Sequence, residues 1–169
     1  EASRDTLTKD AAIDWLLRDR ANPSSVLSSI ERARQNARLV RTALTHEVWE
    51  STNAAYMSAC SLLSRKVGER DLPSVLGVLR QRSAVVRGMT HGTMLRNDIF
   101  DFAQIGTAVE RADNTARIID VKYYTLLPSA SFVGSPLDNV QWETVLRSVS
   151  AHRSFRWLGD QEMTPAGIA

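Results

Sequence analysis

Cysteine is almost absent from this sequence, and its scarcity excludes small scaffolds that are held together by disulfide bonds. Cys60 is the only cysteine among 169 residues, so no intramolecular disulfide can form. A lone thiol fits a reducing compartment and offers at most one cysteine nucleophile. A chain of this length buries roughly 68–70% of its unfolded surface, enough for an apolar core without a metal. We therefore expect a soluble globular domain.

Long apolar stretches are missing as well. The longest segments without a charged residue are 51–64 and 123–137, and both are interrupted by Ser, Thr, Asn or Pro. Neither segment has the composition of a membrane-spanning helix. Together with the single cysteine, this composition leads us to expect a cytoplasmic protein that does not enter a membrane.

Lysine is also scarce, because eighteen of the 21 basic residues are arginine. The formal net charge of +2 is too small to be a strong signature of nucleic-acid or membrane binding. Arginine in such excess favours planar, bidentate and partly buried pairing, for which lysine is a poor substitute. Many of the arginines are therefore expected to form specific pairs.

Proline and apolar periodicity divide the chain into helices. All five prolines lie between segments of helical period, and no segment shows a convincing strand pattern. Thr8 is the predicted cap of a first helix that ends near Arg20, and Asn22-Pro23 is predicted to start the second. Thr45 and Asp71 are the predicted starts of the third and fourth helices.

The fifth predicted helix is the longest and runs from about Asn97 to Leu127. Asp138 is the predicted N-cap of a sixth helix, which Gly159 is expected to end. Apolar residues of the fifth helix recur at alternating spacings of three and four, as in a bundle: Phe102, Ile105, Val109, Ala112, Ala116, Ile119, Tyr123 and Leu126. We predict an all-α antiparallel up-and-down helical bundle, with residues 1–169 as a single domain.

A ten-residue segment occurs twice in the sequence, at residues 31–40 and 110–119. The copies begin Glu31-Arg32-Ala33 and Glu110-Arg111-Ala112, and five of their positions are identical. In each copy the alanines fall on the apolar side of the predicted helix. An arginine, Arg38 or Arg117, follows the glutamate after seven residues, so each pair lies along one stripe beside the apolar side.

Three interpretations of this repeat remain open. The copies could face each other, with the glutamate of one bound by an arginine of the other, which would fix helix register. They could instead form a cleft for a carboxylate or phosphate, or be similar by chance. Arg34, Arg38 and Arg41 favour a cleft, because no local acid balances them. The charge network or cleft comprises Glu31, Arg32, Arg34, Arg38, Arg41, Glu110, Arg111 and Arg117.

The repeat and several other segments resemble the Alpha-E family, a domain of unknown function named for helices with a recurring Glu-Arg motif. The similar segments follow one another along nearly the whole chain, at residues 22–26, 29–38, 47–50, 92–96, 110–123, 141–142 and 146–151. Residues 152–155 depart from the pattern, since the family tends to have an acidic and aromatic run there. Family members look about twice as long, which implies that this chain is a central piece of one.

The resemblance also implies a cellular role. Alpha-E proteins are usually found beside ATP-grasp-like and transglutaminase-like proteins, which implies such partners and a part in a cytoplasmic peptide-ligating or peptide-modifying system. The family supplies no catalytic residue to assign to this sequence. The first hypothesis is therefore a helical accessory or binding module that binds a partner enzyme or its substrate, which would be a peptide or a nucleotide-like or other anionic ligand. No cofactor is expected.

Two alternative functions remain. In the first, the chain is a catalytic subunit in which Glu31 or Glu110 acts as acid or base while arginines hold a carboxylate or phosphate. In the second, it binds nucleic acid, because residues 65–96 hold seven basic and two acidic side chains, a local charge of +5. That segment has no interleaved aromatic residues, which makes nucleic acid the less favoured partner.

Other kinds of site find less support in the sequence. No histidine has a glutamate three residues before it, so no metal site is expected. Cys60 lies on an apolar face without a nearby histidine, which is typical of a buried structural thiol. His91 and Arg96, with Gly88 and Gly92, precede the longest helix and form a small, titratable cluster that would suit the opening of a ligand cleft.

Overall fold

Helices make up most of this computed structural model, which describes residues 8–126, 129, 132–159 and 165–168. No strand occurs in these residues, so the all-α prediction is confirmed. The α-helices are α1 (Lys9–Leu17), α2 (Val26–Leu39), α3 (His46–Leu62), α4 (Leu72–Thr93), α5 (Asp98–Val121), α6 (Pro136–Ser148), α7 (His152–Trp157) and α8 (Pro165–Ile168). A 3₁₀ turn, Arg41–Ala43, precedes α3, and a π-helical turn, Lys122–Leu126, follows α5.

Side-chain caps set the start of two helices as the sequence predicts. The hydroxyl oxygens of Thr8 and Thr45 each accept a hydrogen bond from the amide three residues later, at the starts of α1 and α3. These bonds satisfy amide groups that have no partner within the helix. Asp71 does precede α4, but its side chain makes no capping hydrogen bond.

The predicted start of α2 at Asn22-Pro23 is wrong. Ser25 caps this helix, because the Asn22 side chain is used elsewhere. Its Oδ1 accepts a hydrogen bond from the Ser24 amide at 2.9 Å, and its Nδ2 donates to the Trp15 carbonyl at 3.1 Å. The buried Asn22 therefore fixes the turn between α1 and α2 and leaves capping to the next serine.

The sixth predicted helix is interrupted in the structure. Its N-cap is Ser135 and its first residue is Pro136, while Asp138 lies one turn into α6. The chain then breaks at Ser150, a non-glycine residue with φ of 60°, before α7 begins. The prediction of Asp138 as the cap is wrong because its carboxylate binds a buried lysine, described below.

Two compact units divide the chain, Glu1–Asp101 and Phe102–Ala169. In the first unit α3 packs against both α2 and α4. Its main apolar core consists of Ile13, Leu17, Leu27, Ala59, Leu63, Val67, Val75 and Leu79. A second cluster of Val48, Met94 and Phe100 closes the other end of α3 and α4. This unit therefore buries apolar side chains from every one of its helices.

The second unit has a smaller set of buried side chains, Trp142, Leu146 and Phe155, together with the charged Lys122 and Asp138. The regularly spaced apolar residues at the start of α5 are exposed, and Phe102, Ile105 and Val109 are 73%, 56% and 64% accessible. The expectation that these residues face the core of a bundle is wrong, since the described residues do not cover them.

Membrane insertion finds no support in the helices. Within the described ranges, none combines the length and the apolar character that crossing a bilayer requires.

Candidate anion-binding site

Three arginines lie on one side of the first copy of the repeat. Arg34 and Arg38 belong to α2, and Arg41 starts the 3₁₀ turn that follows it. Their spacing of four and three residues places them on one stripe of the helix. Arg34 and Arg41 are half-buried, and Arg38 is exposed. We call these three residues the arginine stripe.

A matching stripe on α3 faces these arginines. Trp49, Asn53 and Tyr56 have the same spacing of four and three residues, and α2 packs against α3. Asn53 Oδ1 accepts a hydrogen bond from Nε of Arg34 at 2.8 Å. The two aromatic rings flank that bond along the helix, so α3 presents an amide and two aromatic faces to the stripe.

Arg34 is held by three side chains of α3. Besides the bond to Asn53, its guanidinium carbon Cζ lies 4.8 Å from the centroid of the Tyr56 ring and 6.0 Å from that of Trp49. Stacking on aromatic faces and a directed hydrogen bond both suit a planar guanidinium. The orientation of Arg34 is therefore fixed before any ligand arrives.

Arg41 uses the same indole. Its Cζ lies 5.5 Å from the centroid of the Trp49 ring. One aromatic side chain thus gathers two guanidinium groups in one part of the surface. Arg38, which lies between them in sequence, has no hydrogen bond or ion pair within the part of the chain that the structure describes.

No carboxylate neutralises the arginine stripe among the described residues. Glu47 and Glu50, which lie on α3 near Trp49, form no ion pair with any of the three arginines. Ion pairs elsewhere in the same unit join Lys9 to Glu69, Arg18 to Asp14 and Arg20 to Glu31. The stripe therefore keeps positive charge and free N–H donors, which are the groups that bind a carboxylate or phosphate.

Glu31 lies one turn before Arg34 and already has a cationic partner. Its Oε2 is 2.9 Å from Nη1 of Arg20, and its side chain is 26% exposed. The Cys60 thiol raises the pKa of Tyr56 above its ordinary value, and the negative charge of Glu31 adds to the rise. The phenol therefore stays neutral over the physiological range, and Glu31 contributes little net charge to the site.

Glu110 and Arg117 of the second copy have partners on their own helix. Nδ2 of Asn114 donates to Oε1 of Glu110 at 3.0 Å, and Nε of Arg117 lies 2.7 Å from Oδ2 of Asp113. This hydrogen bond to Asp113 raises the pKa of Arg117. Pairing between the two copies therefore stays a prediction.

The small residues of the repeat do not lie in a core. Ala33, Ala112 and Ala116 are exposed, and Ala37 is half-buried. The prediction that the alanines lie on a buried side of the helix is wrong for Ala33, Ala112 and Ala116, because no described element covers these positions. The exposed Arg32 and Arg111 have no ion pair within the described ranges.

The side chains of His91 and Arg96 lie close together in the structure, as their nearness in sequence suggests. Both contact Phe100, with the His91 ring edge-on at 5.5 Å and Cζ of Arg96 at 4.0 Å from the ring centroid. Nη2 of Arg96 also donates to the His91 carbonyl at 2.9 Å. The contacts close the turn between α4 and α5, and whether the two residues also border a ligand cleft stays a prediction.

The most deeply buried charges among the described residues, Lys122 and Asp138, were not predicted from the sequence. Nζ of Lys122 lies 2.6 Å from Oδ1 of Asp138, and the two side chains are 0% and 2% exposed. Oδ2 of Asp138 accepts a hydrogen bond from the Gly134 amide at 2.8 Å, and Nζ lies 5.5 Å from the Trp142 ring centroid. The rarity of lysine was the only feature of the sequence that set Lys122 apart. Asp138 has the sequence context of a helix cap, which concealed its role in the pair.

The pKa of the Asp138 carboxyl reflects two opposing effects. Burial raises it, whereas the hydrogen bonds from Lys122 and from the Gly134 amide lower it, and the net result is a pKa below the ordinary value. Asp138 is therefore ionised in the folded protein at neutral pH. Since the two charges satisfy each other, this pair serves packing rather than ligand binding.

Metal coordination has no evident site in the described residues, where no three His, Cys, Asp or Glu side chains converge. A family model described as a predicted alpha-helical domain with a conserved ER motif matches residues 1–169. No curated protein and no solved structure matches the chain.

Proposed function

The chain belongs to the Alpha-E family, and we propose that it is a helical binding module whose arginine stripe takes an anionic ligand. The observation that carries the proposal is the absence of any acidic partner for Arg34, Arg38 and Arg41 in the described residues, although two of them are held against Trp49. Oriented cations of this kind lose little side-chain entropy when a ligand binds.

A peptide that carries several carboxylates is the ligand class we favour. Arg34 and Arg41 lie seven positions apart, about 10 Å at the rise of a helix, so one carboxylate does not reach both ends. An extended acidic chain places successive carboxylates along such a distance. Nucleic acid is less favoured, because single-stranded nucleic acid needs aromatic faces for base stacking and arginines already cover Trp49 and Tyr56.

An acidic peptide also agrees with the proposed cellular setting. We propose that the module works in a cytoplasmic system that ligates or modifies peptides, beside ATP-grasp-like and transglutaminase-like proteins. In such a system it would hold a peptide substrate while a partner enzyme carries out the chemistry. No cofactor is required for this role.

Catalysis by the chain itself has less support. Glu31 is already paired with Arg20, so its carboxylate is engaged by a guanidinium. Glu110 lies on an exposed face, where its carboxylate accepts a bond from Asn114.

Isothermal titration of the full chain with an octaglutamate peptide tests the proposal. We expect binding that Arg34→Ala and Arg41→Ala each weaken by about tenfold, the usual loss for a charge-assisted hydrogen bond. Arg82→Ala is the matched control, because it removes an exposed arginine of the same unit from α4. This control should bind octaglutamate like the unaltered chain.

Three companion ligands make the titration decisive. Octaglutamine should not bind, since it has the same backbone without charge. Tripolyphosphate should compete with octaglutamate if the stripe recognises anions. If a single-stranded oligonucleotide binds more tightly than octaglutamate, with an affinity that falls steeply with salt, the module binds nucleic acid instead. If Arg82→Ala weakens binding as much as Arg34→Ala, the stripe is not the site.

A further inference from the structure

An uncovered apolar seam lies on the first part of α5. It consists of Phe102, Ile105, Val109, Ala112 and Ala116, and we call it the α5 seam. All five residues are exposed, and Phe102 is the most accessible at 73%. Their spacings of three and four residues are those of the a and d positions of a coiled coil. Contiguous apolar surface of this kind marks an interaction site in a soluble protein.

The opposite side of the same helix lines a cleft. Ile118 and Val121 of α5 border this cleft of about 620 Å³ together with Val140 and Val145 of α6. Ile118 and Val121 lie about half a helical turn away from the α5 seam. One side of α5 therefore borders this cleft, and its most regular apolar side is the exposed α5 seam.

The positions beside the α5 seam are acidic. If Phe102 is an a position, the flanking e and g positions include Asp101, Asp113 and Asp120, all of which are exposed. The one cation at these positions is Lys122, which is buried against Asp138. Arg117 partly neutralises Asp113 at 2.7 Å, so the flanks keep a net negative charge.

We propose that the α5 seam docks an amphipathic helix of a partner protein, with an apolar face and basic residues at its own flanking positions. Flanking charges select the partner of a coiled coil, because opposite charges attract across the interface. A second copy of this chain is a poorer occupant. In either orientation it would offer no exposed flanking cation to the acidic flanks.

Two designed peptides of three heptads test the proposal with the full chain. Both carry Leu and Ile at the a and d positions, and they differ only in having Lys or Glu at e and g. Fluorescence anisotropy at low salt should show that the Lys peptide binds at least about tenfold more tightly than the Glu peptide. High salt should reduce the difference.

Matched variants locate the binding on α5. Ala112→Asp places a charge in the seam and should abolish binding of the Lys peptide. Ala103→Asp makes the same change on the far side of the helix, at another exposed alanine, and should leave binding unchanged. Asp113→Lys combined with Asp120→Lys should reverse the preference toward the Glu peptide.

Three results would overturn the proposal. Equal binding of the two peptides would show that charge does not select the partner. Binding of neither peptide would show that the seam is not a docking surface. Sedimentation of the unaltered chain as a dimer, with Ala112→Asp restoring the monomer, would assign the seam to a second copy.

Discussion

The two copies of the repeat share five residues but lie in different surroundings. The first copy lies on α2, which packs against α3, and two of the three stripe arginines stack on rings of that helix. The second copy lies on α5, where Arg117 pairs with Asp113 and the alanines are exposed. The motif alone therefore does not decide what its arginines do.

The unshared positions and the neighbouring helix together make the difference, because Arg34 stands where the second copy has Asp113. α3 supplies Trp49, Asn53 and Tyr56 at spacings that match those of Arg34 and Arg41. The second copy has polar residues of its own helix as its described partners, namely Asp113 and Asn114. A guanidinium that is fixed by rings keeps its charge available, whereas one that is bound to a carboxylate does not.

The two units also differ in what they bury, and removal of the buried Lys122 should have the largest effect on stability. The first unit rests on apolar clusters, whereas the second encloses Lys122 and Asp138. Lys122→Met leaves a buried carboxylate without its partner, so we expect a loss of about 3–5 kcal/mol in unfolding free energy. Urea denaturation followed by Trp142 fluorescence, with the other tryptophans replaced by Phe, measures it.

Two control variants test whether this loss of stability is specific to the buried pair. Lys122→Met combined with Asp138→Leu replaces both charges by apolar side chains and should recover most of the stability. Arg147→Met removes an exposed pair with Glu143 on the same unit and should hardly move the midpoint. If Arg147→Met costs as much as Lys122→Met, burial of the pair is not what matters.

A smaller effect of the same kind is expected in acid. The folded-state pKa of Asp138 lies below its ordinary value, so the carboxylate stabilises the fold above the unfolded pKa of about 4. This stabilisation is lost as the pH falls from about 4 through the folded-state pKa. The Trp142 reporter of the second unit should therefore show lower urea midpoints below about pH 4.

The Lys122→Met and Asp138→Leu double variant is the control for the acid effect. It contains neither charge, so its midpoint should fall less between pH 5 and pH 3 than that of the unaltered protein. An equal fall in both proteins would place the acid sensitivity elsewhere in the chain.

Local signals in the sequence were sufficient for the fold class and for several helix starts. The hydroxyls of Thr8 and Thr45 mark helix starts that the structure confirms. These features act within one helical turn, so they do not depend on the rest of the chain. The Alpha-E resemblance is likewise carried by short segments and is confirmed by the family model.

Features that depend on distant residues could not be predicted in this way. Asp138 looks like an N-cap, but its carboxylate binds a lysine sixteen positions earlier in the chain. The α5 seam has the period of a buried face, yet the period does not say whether a partner covers it. In the same way, nothing in residues 31–40 indicates that Trp49 and Tyr56 hold Arg34.

Arginine side-chain NMR during a titration with octaglutamate tests the difference between the two copies most directly. We expect the Nε–Hε resonances of Arg34 and Arg41, and the indole resonance of Trp49, to shift in step with binding, because these groups line the stripe. The resonances of Arg111 and Arg117 should stay in place. Shifts at Arg111 and Arg117 with none at Arg34 and Arg41 would contradict an anion site on the first copy.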